Sequence, residues 1–192
     1  EPIVHDKLPR EKLLEIIPGI DGMVVRSGTQ VDREAIEKAS QLKVVGRAGV
    51  GVDNIDIEAA TEYGVIVMNS PGGSTTTTAE HTVAMLFALS RNIPQAYRML
   101  KDHKWEKSRF KGVELSGKTL GVIGLGRIGS EVARKCKAMG MSVLAFDPFI
   151  NPDSDLTSGL VMVDLGRIFA EADFITVHSP LTDETRSLID KD

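Results

Sequence analysis

Gly124, Gly126 and Gly129 stand at G-x-G-x-x-G spacing inside the segment Thr119-Leu120-Gly121-Val122-Ile123-Gly124-Leu125-Gly126-Arg127-Ile128-Gly129. An apolar run enters this turn, and a helix-forming stretch from near Arg127 leaves it. That combination can bind a pyrophosphate. The first glycine permits the tight turn, the second lets the phosphates approach the backbone, and the third lets the helix lie close on its strand. The helix then offers free N–H groups and the positive end of its dipole to the anion. Asp147 follows at roughly the 20-residue distance where this fingerprint places its acid, at the end of a second apolar run. A carboxylate there accepts hydrogen bonds from both ribose hydroxyls of adenosine and repels a 2′-phosphate. The expected cofactor is therefore NAD rather than NADP.

Other chemistry finds less support. The chain has 192 residues, a net charge of −4 and no basic stripe interleaved with aromatics, which argues against nucleic acid or an anionic membrane as a partner. The longest apolar stretch, residues 83–89, is far too short to cross a bilayer. The first residues carry no secretory signal pattern, so a cytoplasmic setting is expected. The single cysteine, Cys136, has no His or Cys at metal-ligand spacing and reads as a packed thiol, and no metal site is expected. His178 follows an apolar run and precedes Ser179-Pro180, a place that suits lining a cofactor better than acid–base work. His5 and His103 read as solvated.

The elements that would position these residues alternate between strand and helix. Helix-like residues 9–17 follow a scrap of strand at Ile3 and Val4. Apolar residues 22–25 come next, then residues 33–39 as a helix capped by Asp32, then 42–45 as a strand. Residues 56–63 form a short helix stopped by Gly64, a left-handed cap, before strand 65–68. These strands are continuous apolar runs, as buried parallel strands are. Residues 69–73 are rich in turn formers, and Gly72-Gly73 marks a candidate boundary. Four threonines, 75–78, lead into helix 79–89, whose Val83, Met85, Leu86 and Leu89 suggest burial on one side. Residues 93–103 read as helix and 104–117 as a connection anchored by Trp105. The nucleotide strand and its helix follow, the helix reaching Met139 and closing at Gly140. Strand 141–146, helix 165–170 and strand 174–177 complete the pattern. The expected fold is α/β, with a partial flavodoxin-like βα substrate domain over residues 1–72 and the N-terminal part of a Rossmann-type dinucleotide-binding domain over 73–192.

Taken together, the markers make the chain similar to the D-2-hydroxyacid dehydrogenase family, and within it to the phosphoglycerate branch. They are Val25-Arg26-Ser27, the run Val45-Gly46-Arg47-Ala48-Gly49-Val50-Gly51-Val52-Asp53-Asn54-Ile55-Asp56, then Asn69-Ser70-Pro71 and Ala79-Glu80-His81-Thr82. Gly117-Lys118-Thr119-Leu120-Gly121, Asp147-Pro148 and Val177-His178-Ser179-Pro180-Leu181-Thr182 follow. Arg47 with Asp53-Asn54 is what favours that branch over members acting on unphosphorylated acids.

The resemblance implies roles position by position. Arg26, Ser27 and Arg47 would bind the substrate's charged groups, since a guanidinium can hold two oxygens of a carboxylate or phosphate at once. Gly49 and Val50 would offer backbone N–H groups to the carboxylate, with Val50 and Thr82 also near the nicotinamide. Arg127 and Ile128 would cover the pyrophosphate, Asp147 and Pro148 the adenosine ribose, and His178, Ser179 and Pro180 the adenine side. The alternative for Arg26 and Arg47 is a surface ion pair. The implied reaction is oxidation of 3-phosphoglycerate to 3-phosphohydroxypyruvate at the head of L-serine synthesis, by a homo-oligomer (dimer or tetramer). The family's catalytic arginine, glutamate and histidine would lie beyond Asp192, so none of its catalytic residues is assigned here. Two other readings stay open: a glyoxylate or hydroxypyruvate reductase of the same family, and a non-catalytic NAD(H)-sensing module resembling the corepressors that share this fold.

Overall fold

The structure is a computed structural model, and it describes residues 3–6, 8–151, 154, 157 and 159–190. The chain forms two compact units, Glu1–Ser74 and Thr75–Asp192.

The first unit is a three-stranded parallel sheet in the order β1-β2-β3, made of Gly22–Val25, Val44–Arg47 and Ile66–Asn69. Helices α1 (Arg10–Ile16), α2 (Arg33–Lys38) and α3 (Ile57–Glu62) connect and cover it. Asp32 and Asp56 cap α2 and α3 by accepting from the N–H of Ala35 and Ala59, each cap contributing about 1 kcal/mol. Gly64 turns the chain at φ +70°, the left-handed stop expected from its position. Leu13, Ile17, Val25, Ile36, Val45 and Ala59 form the core.

Three expectations change here. Ile3 and Val4 form no strand and are exposed; a strand exists only through pairing, and no described strand pairs with them. The second strand runs to Arg47 rather than starting at Leu42, because its register with both neighbours (Val25↔Arg47, Arg47↔Asn69) is set by pairing, which an apolar run does not reveal. The strands are parallel, yet they are buried on one face only. Side chains alternate across a strand, so Val25 and Val45 point into the helix-covered core while Val24, Ile66 and Met68 are exposed.

The second unit is a four-stranded parallel sheet in the order β6-β5-β4-β7, made of Val161–Met162, Ser142–Phe146, Thr119–Ile123 and Phe174–Val177. The two-residue β6 has too little apolar length to register in the sequence. Helices α4 (Thr75–Ser90) and α6 (Arg127–Ala138) pack on one face through Ala79, Leu86, Val132, Ala133 and Cys136. Helix α7 (Leu165–Glu171) packs on the other face through Ile168, against Ile123 and Leu144. Coverage on both faces buries β4 almost completely, as continuous apolar runs of parallel sheets require. Burial pushes the Cys136 thiol up to about 11, which leaves it inert packing.

The threonines 75–78 are the first turn of α4 itself, where N–H groups need no partner within the helix. Of the four α4 positions expected on a buried stripe, Leu86 is buried and Val83 partly so. Met85 and Leu89 are exposed, because α6 covers one side of the helix and no described element covers the other. Helix α5 (Ile93–Lys101) follows a left-handed Asn92 and buries no residue. Trp105, expected to anchor the connection, is 77% exposed.

Candidate functional site

The chain leaves β4 for β5 and β6 on one side and returns to place β7 on the other. Strand order therefore reverses at β4, and in an open parallel sheet that reversal opens a crevice beyond the carboxyl ends of the strands. Gly124–Gly129, Asp147-Pro148 and His178–Pro180 all sit at those ends, after β4, β5 and β7.

Each glycine of the turn has its own physical reason. Gly124 lies at φ +91°, and a Cβ there would stand 2.8 Å from the His178 carbonyl carbon and 2.9 Å from the Ser179 nitrogen. A Cβ on Gly129 would collide with the Gly124 carbonyl oxygen. Both are demanded by the protein's own packing. Gly126 is different: its φ of −61° suits any residue, and a Cβ there would meet nothing within 4 Å. Open space above an exposed backbone is what an approaching pyrophosphate requires.

Helix α6 starts beside that space with 12 residues of aligned dipole. Among the described residues, the N–H groups of Gly126, Arg127, Ile128 and Gly129 donate to no protein acceptor, whereas Ser130 N–H already closes the first helical turn on Gly126. The Ser130 hydroxyl donates to the Leu125 carbonyl at 2.7 Å and pins the turn from below.

Asp147 is half-buried, and both its oxygens hold backbone: Oδ2 accepts from Leu125 N–H at 2.8 Å and Oδ1 from Phe149 N–H at 2.9 Å. A carboxylate has about four acceptor positions, so two remain for hydroxyls. Asp147 thus also fastens the glycine turn to the end of β5, a second role the spacing alone does not reveal. His178 donates its backbone N–H to Ile123 at 2.7 Å, and its Nε2 lies 3.0 Å from Thr176 Oγ1. Burial lowers its pKa, so the ring is neutral near pH 7. Pro148 and Pro180 are exposed beside these residues, and Ser179 is partly buried. Thr82 is partly buried on α4, where its hydroxyl donates to the Thr78 carbonyl at 3.0 Å. The free N–H groups, the open approach at Gly126 and the placed carboxylate fit a dinucleotide with an anionic centre and a ribose diol.

The first unit gathers its own candidate residues at the carboxyl ends of β1 and β2. Arg26 and Ser27 are exposed in the loop after β1. Arg47 ends β2 with its guanidinium folded over Gly49; its Nη1 donates a long bond of 3.4 Å to the Ala48 carbonyl, and its Nε is buried without a partner. Among the described residues, neither arginine forms an ion pair. Gly49, expected to offer its N–H to a carboxylate, instead donates it to the Arg47 carbonyl at 2.8 Å; among the described residues, the N–H groups of Val50 and Gly51 have no protein acceptor. Two asparagines shape these loops without having been singled out for it. Asn69 donates to the Val50 carbonyl at 2.7 Å, and Asn54 donates to the carbonyls of Arg26 and Thr29. Their signal in the sequence is faint, since asparagine beside a turn usually serves its own backbone.

The family profile described as "D-isomer specific 2-hydroxyacid dehydrogenase, NAD binding domain" matches residues 83–192. The chain belongs to this family. Its second unit carries the family's NAD-binding fold, and the cofactor is NAD. The D-3-phosphoglycerate dehydrogenase of Archaeoglobus fulgidus is 53% identical over 188 residues, covering 98% of this chain and 36% of that protein. The namesake from Methanocaldococcus jannaschii is also 53% identical, covering 96% of this chain and 36% of that one. The chain thus spans about a third of the length of the curated relatives it matches. Among solved structures, the NAD-dependent formate dehydrogenase of Staphylococcus aureus in complex with NAD superposes with a TM-score of 0.85 at 34% identity, covering 95% of this chain and 55% of that one. The D-lactate dehydrogenase of Aquifex aeolicus, complexed with NAD and lactic acid, gives 0.80 at 32% identity, covering 93% and 53%.

Proposed function

We propose that this chain is part of an NAD-dependent D-3-phosphoglycerate dehydrogenase that oxidises 3-phosphoglycerate to 3-phosphohydroxypyruvate for L-serine synthesis in the cytoplasm. The observation that carries this reading is identity of about one half, over nearly the whole chain, to relatives bearing that name. Two arginines without an ion pair among the described residues support it, together with the N–H groups of Val50 and Gly51, since a phosphorylated hydroxy acid carries two anionic ends.

In this reading Arg26, Ser27 and Arg47 take the substrate's anionic groups, and the backbone at Val50, beside Gly49 whose own N–H is held by the Arg47 carbonyl, takes its carboxylate. The turn of Gly124, Gly126, Arg127, Ile128 and Gly129 would hold the pyrophosphate of NAD. Asp147 and Pro148 would hold its adenosine ribose, and His178, Ser179 and Pro180 would line its adenine. Val50 and Thr82 are assigned to the nicotinamide. When bound, NAD would supply the hydride acceptor, and this chain's residues would bind and orient it. His178 is not assigned the proton transfer, because its Nε2 faces a threonine hydroxyl and, among the described residues, no carboxylate bonds to it.

Steady-state rates of the full-length protein with 3-phosphoglycerate and with glycolate and glycerate test the assignment. The phosphorylated acid is expected to win in kcat/KM by at least about a hundredfold, the scale of discrimination when a site built for an anion meets a substrate lacking it. Preference for an unphosphorylated acid overturns it in favour of the reductase reading. We also infer that the protein is a homo-oligomer. Support comes from the second unit, where Met85, Leu89, Ile93, Tyr97, Leu100 and Trp105 are exposed apolar side chains on α4, α5 and the segment after them, the kind of surface that interfaces cover.

A further inference from the structure

We propose that Asn54 is a positioning residue for the substrate: its side-chain amide holds the loop of Arg26 and Ser27 in its anion-binding shape. The inference rests on the reading of those two residues as substrate ligands. Asn54 is 3% exposed, in the segment that follows the free N–H groups of Val50 and Gly51. Its Nδ2 donates to the Thr29 carbonyl at 2.6 Å and the Arg26 carbonyl at 3.1 Å. Both amide hydrogens are therefore spent on one loop, distant in sequence.

Among the described residues, the only other side chain that donates to this segment is Arg10, whose Nη1 donates to the Gln30 carbonyl at 3.2 Å. Arg26, Ser27 and Gly28 are exposed and place nothing in the core. A single 3.3 Å bond from Thr29 N–H to the Arg26 carbonyl closes the turn. Just beyond it, Val31 N–H donates to the Asn54 carbonyl and Asp56 N–H donates to the Val31 carbonyl. Asn54 thus grips the loop at both ends, by side chain at residues 26 and 29 and by backbone at residue 31. The same residue ties the loop carrying the arginine to the segment carrying the carboxylate-binding N–H groups. Distances between the two sets of anion ligands then depend on it.

The amide's oxygen shows where the benefit lies. Oδ1 is buried and has no hydrogen-bond partner among the described residues. An unsatisfied buried acceptor destabilises, and an apolar side chain of similar shape avoids that cost. Leucine would remove that orphan oxygen but also take the side-chain donor from the Thr29 carbonyl, so what asparagine adds is the pair of donors on the loop.

This contrast supplies the test, made in the full-length protein. Asn54→Leu is expected to keep its unfolding midpoint within a few degrees of the parent. Its KM for the hydroxy acid should rise about tenfold or more while its KM for NAD stays within about twofold, the signature of lost substrate positioning. Asn54→Ser, which retains one donor, should fall between the two. If either folded variant keeps the parental substrate KM, the positioning role is overturned, and a lower midpoint alone does not rescue it. Parental protein that turns over no 2-hydroxy acid overturns the underlying functional reading instead, so the two failures are distinguishable.

Discussion

Asp147 shows how one side chain can carry both recognition and construction. Its two backbone bonds tie the glycine turn to β5, and its remaining acceptor positions suit a ribose diol. Asp147→Ala removes both, so NADH affinity should fall about 10- to 100-fold, as for loss of charge-assisted hydrogen bonds. Discrimination against NADPH should shrink at the same time. Fluorescence titration with the two reduced cofactors checks this; an unchanged NADH:NADPH ratio removes Asp147 from the ribose. Asp147→Asn, which keeps an acceptor for Leu125 N–H, should hold the turn better than alanine while still losing the charge. His178 makes a pH prediction. Burial lowers its folded pKa below the unfolded value of about 6.5, so the unfolded chain binds more protons just below that pH. Its contribution is fully present above about pH 6.5 and is lost as pH falls toward the folded pKa. In His178→Gln the unfolding midpoint should lose less between neutral pH and pH 5 than in the parent. An identical slope would show that His178 is not linked to folding. Distance from the glycine turn pointed Asp147 to the cofactor, and its place before Ser179-Pro180 pointed His178 there; their backbone and threonine partners lie far along the chain or depend on local geometry, which spacing does not encode.

At the scale of elements, β4, the turn and α6 form one device whose three glycines should fail differently. Gly129→Ala drives a methyl into the Gly124 carbonyl, so α6 must lift from β4. Overpacking of this kind costs about 1–3 kcal/mol, and both the unfolding midpoint and NADH binding should drop. Gly126→Ala meets open space at an ordinary φ. Stability should stay within about 0.5 kcal/mol, while NADH affinity falls about tenfold because the methyl occupies the pyrophosphate's approach. Thermal melts paired with NADH titration separate the two. If Gly126→Ala binds NADH normally, the pyrophosphate does not cross that residue. The motif itself was legible, since glycine spacing, flanking apolar run and following helix are all local. The bounds of β2 were not, because register belongs to strand pairs. Nor was the exposure of Met85 and Leu89, because an apolar helix position looks the same whether or not a neighbour covers it.

For the whole molecule, two parallel sheets place their candidate ligands at the carboxyl ends of strands. The topology of the second unit, reversing at β4, decides where a dinucleotide can lie. Its apolar α4–α5 surface leads to a further prediction. Leu100, 52% exposed, sits on this surface with Tyr97 and Trp105. Leu100→Glu buries a charge in any interface formed there, and a charge left unpaired on burial costs several kcal/mol. Sedimentation velocity of the full-length protein at micromolar concentration should show the parent as an oligomer and the variant shifted to smaller species. A parent that sediments as a monomer removes the homo-oligomer inference.

What the sequence alone determined is the class of chemistry and the order of elements. Glycine spacing, an acid at the right remove and alternating apolar runs are short-range patterns, and turn sterics and helix dipoles read them directly. Only the tertiary structure decided that Gly124 and Gly129 serve packing while Gly126 faces open space. Only it joined Asp147 to Leu125, and Asn54 to Arg26 and Thr29. Those decisions depend on atoms brought together by strand pairing and helix docking across many residues of chain, and no linear pattern carries that geometry.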